Sequence, residues 1–192
     1  MSLPSAHGPT DPTTPGTPGT HTGLVVMGVS GAGKSTVARL LADRLGWALA
    51  EADDFHPRTN IEKMRAGTPL TDADREPWLR AIAAWLAGWA DAGENAIVTC
   101  SALKRAYRDI LREAGPRVRF VHLHGDHDTL ARRLGGRSGH FMPPALLDSQ
   151  LADLEPLTAD EDGVAVEIGG TPEEVAEEAL RRLALPQPPP HR

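Results

Sequence analysis

The chain has 192 residues, 40% hydrophobic, 24% charged and 4% aromatic, with a net charge of -6. That length suits one domain, or one with a small appendage, and the balance excludes a collagen or a wholly disordered chain. It also speaks against a membrane protein, since no apolar run approaches the roughly 20 residues of a spanning helix. The acid is concentrated: ten acidic residues and no Lys or Arg lie between Asp153 and Glu178, leaving +4 (-6 less -10) for the rest. That remainder can attract small anions, but it has no basic block long enough for a nucleic-acid binder. Seventeen of the twenty basic residues are Arg, so Lys34, Lys63 and Lys104 stand out as compact point charges.

Residues 1–22 hold five Pro, six Thr and three Gly, with too few apolar side chains to offset the entropy of ordering them. They read as a disordered tail, as do residues 186–192. The opening has no basic start followed by an apolar core, so it does not resemble a secretory signal. The single cysteine, Cys100, can form neither an intrachain disulfide nor a Cys-rich metal site, in keeping with a reducing, cytoplasmic setting.

Between the tails, residues 23–185 alternate short apolar runs with helical periodicity. The runs are Leu24 to Met27, Trp47 to Ala52, Ala96 to Cys100, Val118 to Leu123 and Val164 to Ile168. Helices are expected at about 34–45, 75–92, 104–114, 128–136, 143–155 and 172–184. Parallel strands need crossovers, so this alternation predicts an α/β fold with a parallel sheet covered on both faces. Its ligand site should lie beyond the carboxyl ends of the strands.

Directly after the first strand comes Gly28-Val29-Ser30-Gly31-Ala32-Gly33-Lys34-Ser35-Thr36, then an amphipathic helix. This is the G-x-x-x-x-G-K-S phosphate loop in its required context. Its glycines let backbone N–H groups and the helix N-terminus surround a polyphosphate. Lys34 supplies charge to the β and γ phosphates, and the Ser35 hydroxyl is placed to ligand Mg²⁺. No N-K-x-D guanine reader and no L-S-G-G-Q signature occurs. Transfer of a γ-phosphoryl group from ATP to a small molecule remains.

At the end of the second strand stands Glu51-Ala52-Asp53-Asp54-Phe55-His56-Pro57. Strand alternation points Glu51 and Asp53 the same way. Transfer to a hydroxyl benefits from one carboxylate that takes its proton and another that holds Mg²⁺, and the order of the two roles stays open.

Further motifs follow: Asn60 to Met64, Gly67 to Leu79, Cys100 to Arg112, Gly125-Asp126, Arg132 to Leu134, Arg137 to Pro143 and Leu146 to Leu157. Together they closely resemble the bacterial gluconokinase family, over about residues 23–185. Ala52 departs from that family's usual Gly before the acceptor-site Asp. The resemblance implies a P-loop kinase three-layer sandwich with a five-stranded parallel sheet in the order 2-3-1-4-5 and a small helical lid. It further implies phosphorylation of gluconate by Mg-ATP to 6-phosphogluconate and, frequently in that family, a dimer. By the same resemblance Asp53 is the acceptor-hydroxyl carboxylate, and His56, Arg75, Lys104, Arg105, His140 and Gln150 line the gluconate side. Arg133 and Arg137 belong to a basic, Gly-containing flap at about 132–142 that closes over the triphosphate, with Arg137 serving catalysis. A kinase of shikimate or a nucleotide, or a silent nucleotide-binding regulator, are the competing readings.

Other features read as structural. Arg75 also fits a surface position, and Lys63 a solvated helix face. Trp78, Trp85 and Trp89 recur at helical spacing with Leu79, Ile82 and Leu86, as a core stripe does, with sugar stacking the alternative. His122, His124 and His127 have metal-like spacing but lie mostly in an apolar strand with no carboxylate set. Cys100 at a strand end fits a buried neutral thiol.

Overall fold

The computed structural model describes residues 21–115, 117–135 and 144–185. Five parallel strands, β1 (Gly23–Met27), β2 (Ala48–Glu51), β3 (Ala96–Thr99), β4 (Val118–His124) and β5 (Gly163–Glu167), pair in the order β2-β3-β1-β4-β5. The α/β parallel sheet is the one the alternating runs predicted, and its order is the one the family resemblance implied. The strands read as continuous apolar runs because both faces are covered. Along β1, Leu24 and Val26 join one core cluster while Val25 and Met27 join the other.

Helices α1 (Lys34–Leu45) and α7 (Pro172–Leu183) close the first face through Val37, Leu41, Val175 and Leu180. Helices α3 (Asp72–Asp91) and α4 (Arg105–Arg112) close the second through Leu79, Ile82, Leu86 and Leu111. Trp78 belongs to the second cluster, and Trp85 and Trp89 pack against it half-buried, so the tryptophan stripe is core. Helices α5 (His127–Gly135) and α6 (Pro144–Asp153) follow β4 at the carboxyl end of the sheet, each with one fully buried leucine, Leu130 and Leu147.

The elements depart from the periodicity reading in three places. Strand β2 ends at Glu51, and Ala52–Phe55 form a 3-10 turn. Asp53 therefore lies beyond the strand, and strand alternation is not what aims it. Helix α2 (Arg58–Arg65), hinted at only by the solvated-face reading of Lys63, is not among the helices that periodicity predicts, because it buries only Asn60 and so has no apolar stripe to betray it. A polar tether holds it instead, the Asn60 Nδ2 amide donating to the Asp74 carbonyl at 2.8 Å. Helix α3 starts at Asp72, earlier than its apolar positions suggest, because Thr71 and Asp74 form a reciprocal capping box.

Order also reaches further toward the N-terminus than expected. Thr22 is buried, and its N–H donates to Asn95 Oδ1 at 2.7 Å. The rest of the N-terminal segment, residues 1–20, and residues 186–192 lie outside the described residues. No described helix is long and apolar enough to cross a membrane.

Candidate active site

The phosphate loop leaves the carboxyl end of β1 and runs into α1. Gly28 is held there by a close approach: a Cβ at this position would sit 2.5 Å from the Leu123 carbonyl oxygen. Gly33 caps α1 in the left-handed region, at φ 88°, which glycine adopts without steric penalty. The result is a helix N-terminus whose first turn carries no acidic side chain, open to an anion. Val29 and Ala32 are buried and can serve a ligand only through their backbone. The Lys34 ammonium folds back to donate to the Val29 carbonyl at 3.1 Å.

A cleft of about 450 Å³ opens in front of this loop, lined by Ser30, Lys34, Ser35, Glu51, Asp53 and Gln150 among others. Glu51 is anchored from two sides. The Ser35 hydroxyl donates to its Oε2 at 3.1 Å and the Thr99 hydroxyl donates to the same oxygen at 2.5 Å. Gln150 on α6 reaches the loop itself, its Oε1 accepting from the Ser30 N–H at 2.7 Å. An adjoining cavity of about 280 Å³ shares Gly31 and Gly33 and is lined by Thr36, Val37, Arg133, Ile168 and Val175. Arg133 is steadied there by donating to the Ile168 carbonyl at 2.6 Å.

Trp78 forms a wall of the main cleft, its indole N–H donating to the Ala52 carbonyl at 2.7 Å. It therefore fills the core and fixes the turn that carries Asp53. His56 lies flat on Trp78, with centroids 4.4 Å apart and planes 11° from parallel. Its Nδ1 is buried without a hydrogen-bond partner. Burial lowers the His56 pKa, against the opposing pull of Asp53 and with the help of Arg75, so the ring is neutral at pH 7.

Beside His56, Asp72 accepts from the Tyr107 hydroxyl at 2.5 Å and from Lys104 at 3.2 Å, and stands 3.8 Å from Arg75. These contacts hold the Asp72 carboxyl below its usual range, the Tyr107 bond contributing most. Two cations thus share one carboxylate, leaving a local positive excess on the acceptor side.

The structure gathers Lys34, Ser35, Glu51, Asp53 and Gln150 at one cleft, with His56, Arg75 and Lys104 on its flank. It does not bring Arg105 there. That guanidinium pairs with Asp109 at 2.8 Å and Asp160 at 2.6 Å and donates to Thr158. Arg137 and His140 lie outside the described residues, as does 136–142 of the expected flap; its first four positions, 132–135, end α5.

Lys63 pairs with Asp74 at 2.6 Å and braces α2 against α3. Cys100 is buried, which pushes its thiol up to about 12. His122 is buried on β4, and His127 contacts Asp148 at 2.9 Å instead. Among the described residues no three His, Cys, Asp or Glu side chains are grouped to hold a metal. Sequence reasoning missed Thr99, whose one signal is a hydroxyl ending an apolar strand; for Trp78 it set a core stripe ahead of a place in the site, and the residue has both.

A five-stranded parallel sheet of this order, with a phosphate loop facing carboxylates across one cleft, defines a P-loop phosphotransferase of the small-molecule kinase class. A family profile described as an AAA domain matches residues 24–157. The chain is 52% identical over 160 residues to a gluconokinase of Gluconobacter oxydans, covering 83% of this chain and 90% of that one. It is 45% identical over 142 residues to the thermoresistant gluconokinase of Escherichia coli, covering 74% and 81%. The crystal structure of a gluconokinase from Sinorhizobium meliloti superposes with a TM-score of 0.77 at 48% identity, covering 85% of this chain and 91% of that one. The chain belongs to the gluconokinase family.

Proposed function

We infer that this chain transfers the γ-phosphoryl group of ATP to gluconate, forming 6-phosphogluconate and ADP. The observation that carries the reading is the single cleft joining Lys34 and Ser35 of the phosphate loop to Asp53, with His56, Arg75 and Lys104 on its flank. Loop N–H groups and the α1 N-terminus bind the polyphosphate, and Lys34 offsets the charge of its β and γ groups. Asp53 takes the proton of the acceptor hydroxyl as that oxygen bonds to the γ-phosphorus. The bond from γ-phosphorus to the bridging oxygen breaks, and ADP leaves.

The acceptor's carboxylate is drawn to the positive excess of Arg75 and Lys104, and its hydroxyls to the hydrogen-bonding groups of His56 and Gln150. Arg133 faces the nucleotide from the adjoining cavity.

The residues present fit Mg²⁺. Ser35 and Glu51 offer hard oxygen donors 3.1 Å apart beside the phosphate loop, and this ion needs only one or two protein ligands when phosphates and water supply the rest. When bound it neutralises charge on the β and γ oxygens. The reading implies a cytoplasmic enzyme with a small-molecule acceptor, working as a dimer as its family frequently does. ADP release with Mg-ATP, measured against gluconate, shikimate, AMP and no acceptor, tests it: gluconate gives the largest stimulation, and a larger response to shikimate or AMP overturns it.

A further inference from the structure

Among the described residues Arg108 is the largest side chain that is fully buried, and its charge is balanced by Glu161, also buried. The planar fork is fully engaged. Nε donates to Glu161 Oε1 at 2.6 Å and Nη2 to Oε2 at 3.0 Å, while Nη2 also reaches the Pro156 carbonyl at 3.3 Å. Nη1 spreads over the carbonyls of Ala102, Leu103 and Glu155 at 3.2, 3.1 and 3.0 Å. One side chain thus donates to four loop carbonyls outside any helix or strand, of which Leu103 also accepts from the Glu155 N–H at 2.9 Å.

A buried ion pair is weak evidence of a stability role, since apolar replacement of both partners is often neutral or better. What this pair holds points to another role. The loop after β3 carries Ser101 into the cleft wall and leads on to Lys104 on its flank. At its centre Ala102 adopts φ 44°, a left-handed conformation that a residue with a Cβ keeps only when its surroundings over-determine it. Arg108 binds the carbonyl of that residue and of the next. On the other side, the Gly28 N–H donates to the Ser101 carbonyl at 3.3 Å, tying the same loop to the phosphate loop. Glu155 and Pro156 follow α6, the helix that carries Gln150 to the Ser30 N–H.

We propose that Arg108, paired with Glu161, is a positioning residue for phosphoryl transfer: it fixes the strained 101–104 loop and the end of α6 in one frame, so that acceptor-side groups meet the phosphate loop in register. It touches no substrate and acts through Ala102, Leu103, Glu155 and Pro156. The proposal rests on the kinase reading above.

The test compares the full-length wild type with Arg108→Lys, Glu161→Gln and the paired apolar exchange Arg108→Met with Glu161→Leu, by thermal melting and two-substrate kinetics. Wild-type ADP release with gluconate checks the kinase reading by itself, and the variants are then read as ratios to wild type. Lysine keeps a charge for Glu161 but cannot span six acceptors, and the apolar pair removes both buried charges together with every donor. Displacement of a site by about 1 Å can cost about 10²-fold in rate, so kcat/KM for gluconate should fall at least roughly tenfold in both, while KM for ATP moves less than about threefold. Glu161→Gln retains an acceptor and should lie between them and wild type. Wild-type acceptor kinetics in a folded Arg108→Lys or apolar pair overturns the proposal. So does a fall no larger than the loss of folded protein that melting records for the same variant, because that marks a reduced folded fraction alone.

Discussion

Two side chains in the cleft separate charge stabilisation from proton transfer. Lys34→Ala removes the ammonium beside the β and γ phosphates, and turnover should drop by about 10²-fold or more, the loss typical of removing one preorganised donor. The fold should survive, since Lys34 is no part of either core cluster; circular dichroism and ADP release check both halves. Asp53→Asn keeps size and hydrogen bonding but cannot take the hydroxyl proton, so kcat should fall about 10²-fold, within the range of a positioned general base. Calorimetric ATP affinity should hardly move. Lost ATP affinity with surviving kcat at saturating nucleotide would make Asp53 a nucleotide or metal ligand instead.

At the scale of elements, α3 begins on the Thr71 and Asp74 capping box beside the acceptor flank. Thr71→Ala removes the side-chain acceptor for the Asp74 N–H and should cost about 1 kcal/mol. For a domain of this size that is a fall in Tm of about 2–4 °C by calorimetry. Strand β4 carries a second testable feature in His122, whose pKa burial lowers from 6.5 to about 4. The unfolded chain takes up this proton at higher pH than the folded one. The stability His122 contributes is therefore complete above pH 6.5 and is lost as pH falls from there toward 4, at up to about 1.4 kcal/mol per pH unit. His127 works in the opposite sense, its pKa raised chiefly by the Asp148 bond, so the comparison must be between variants. The Tm of His122→Leu should fall less steeply than wild type over that window, and parallel profiles would contradict this account.

Across the whole molecule, nucleotide binding couples to folding because the phosphate loop is stitched to β3 and α6 through Gly28–Ser101 and Ser30–Gln150. A ligand that binds only the folded state at about 100 times its Kd adds about 2.7 kcal/mol, so saturating Mg-ATP should raise Tm by several degrees. Lys34→Ala should lose most of that rise while its unliganded Tm stays near wild type. An equal rise in the variant would show that the Lys34 charge contributes little to nucleotide binding.

The phosphate loop was legible from residues 28–36 because its chemistry is contiguous: glycines, Lys34 and Ser35 make the site wherever a strand precedes and a helix follows. The five apolar runs were legible too, since burial on both faces of a parallel sheet leaves an uninterrupted apolar signature. Helix α2 left no such trace, because it is held by Asn60 and Lys63 rather than by an apolar stripe. The acceptor side resisted for a different reason. Asp53 and His56, Arg75, Lys104 and Gln150 come from four segments, and only the crossovers decide which of them meet. Arg105 and Arg108 show the limit most plainly, being three residues apart on one helix with acids nearby in sequence for both. The packing of α4 against the 155–161 segment turned Arg108 into the interior and left Arg105 on the rim with Asp109 and Asp160. That choice depends on which helix face meets its neighbour, and a neighbour some 50 residues away is set by the tertiary fold.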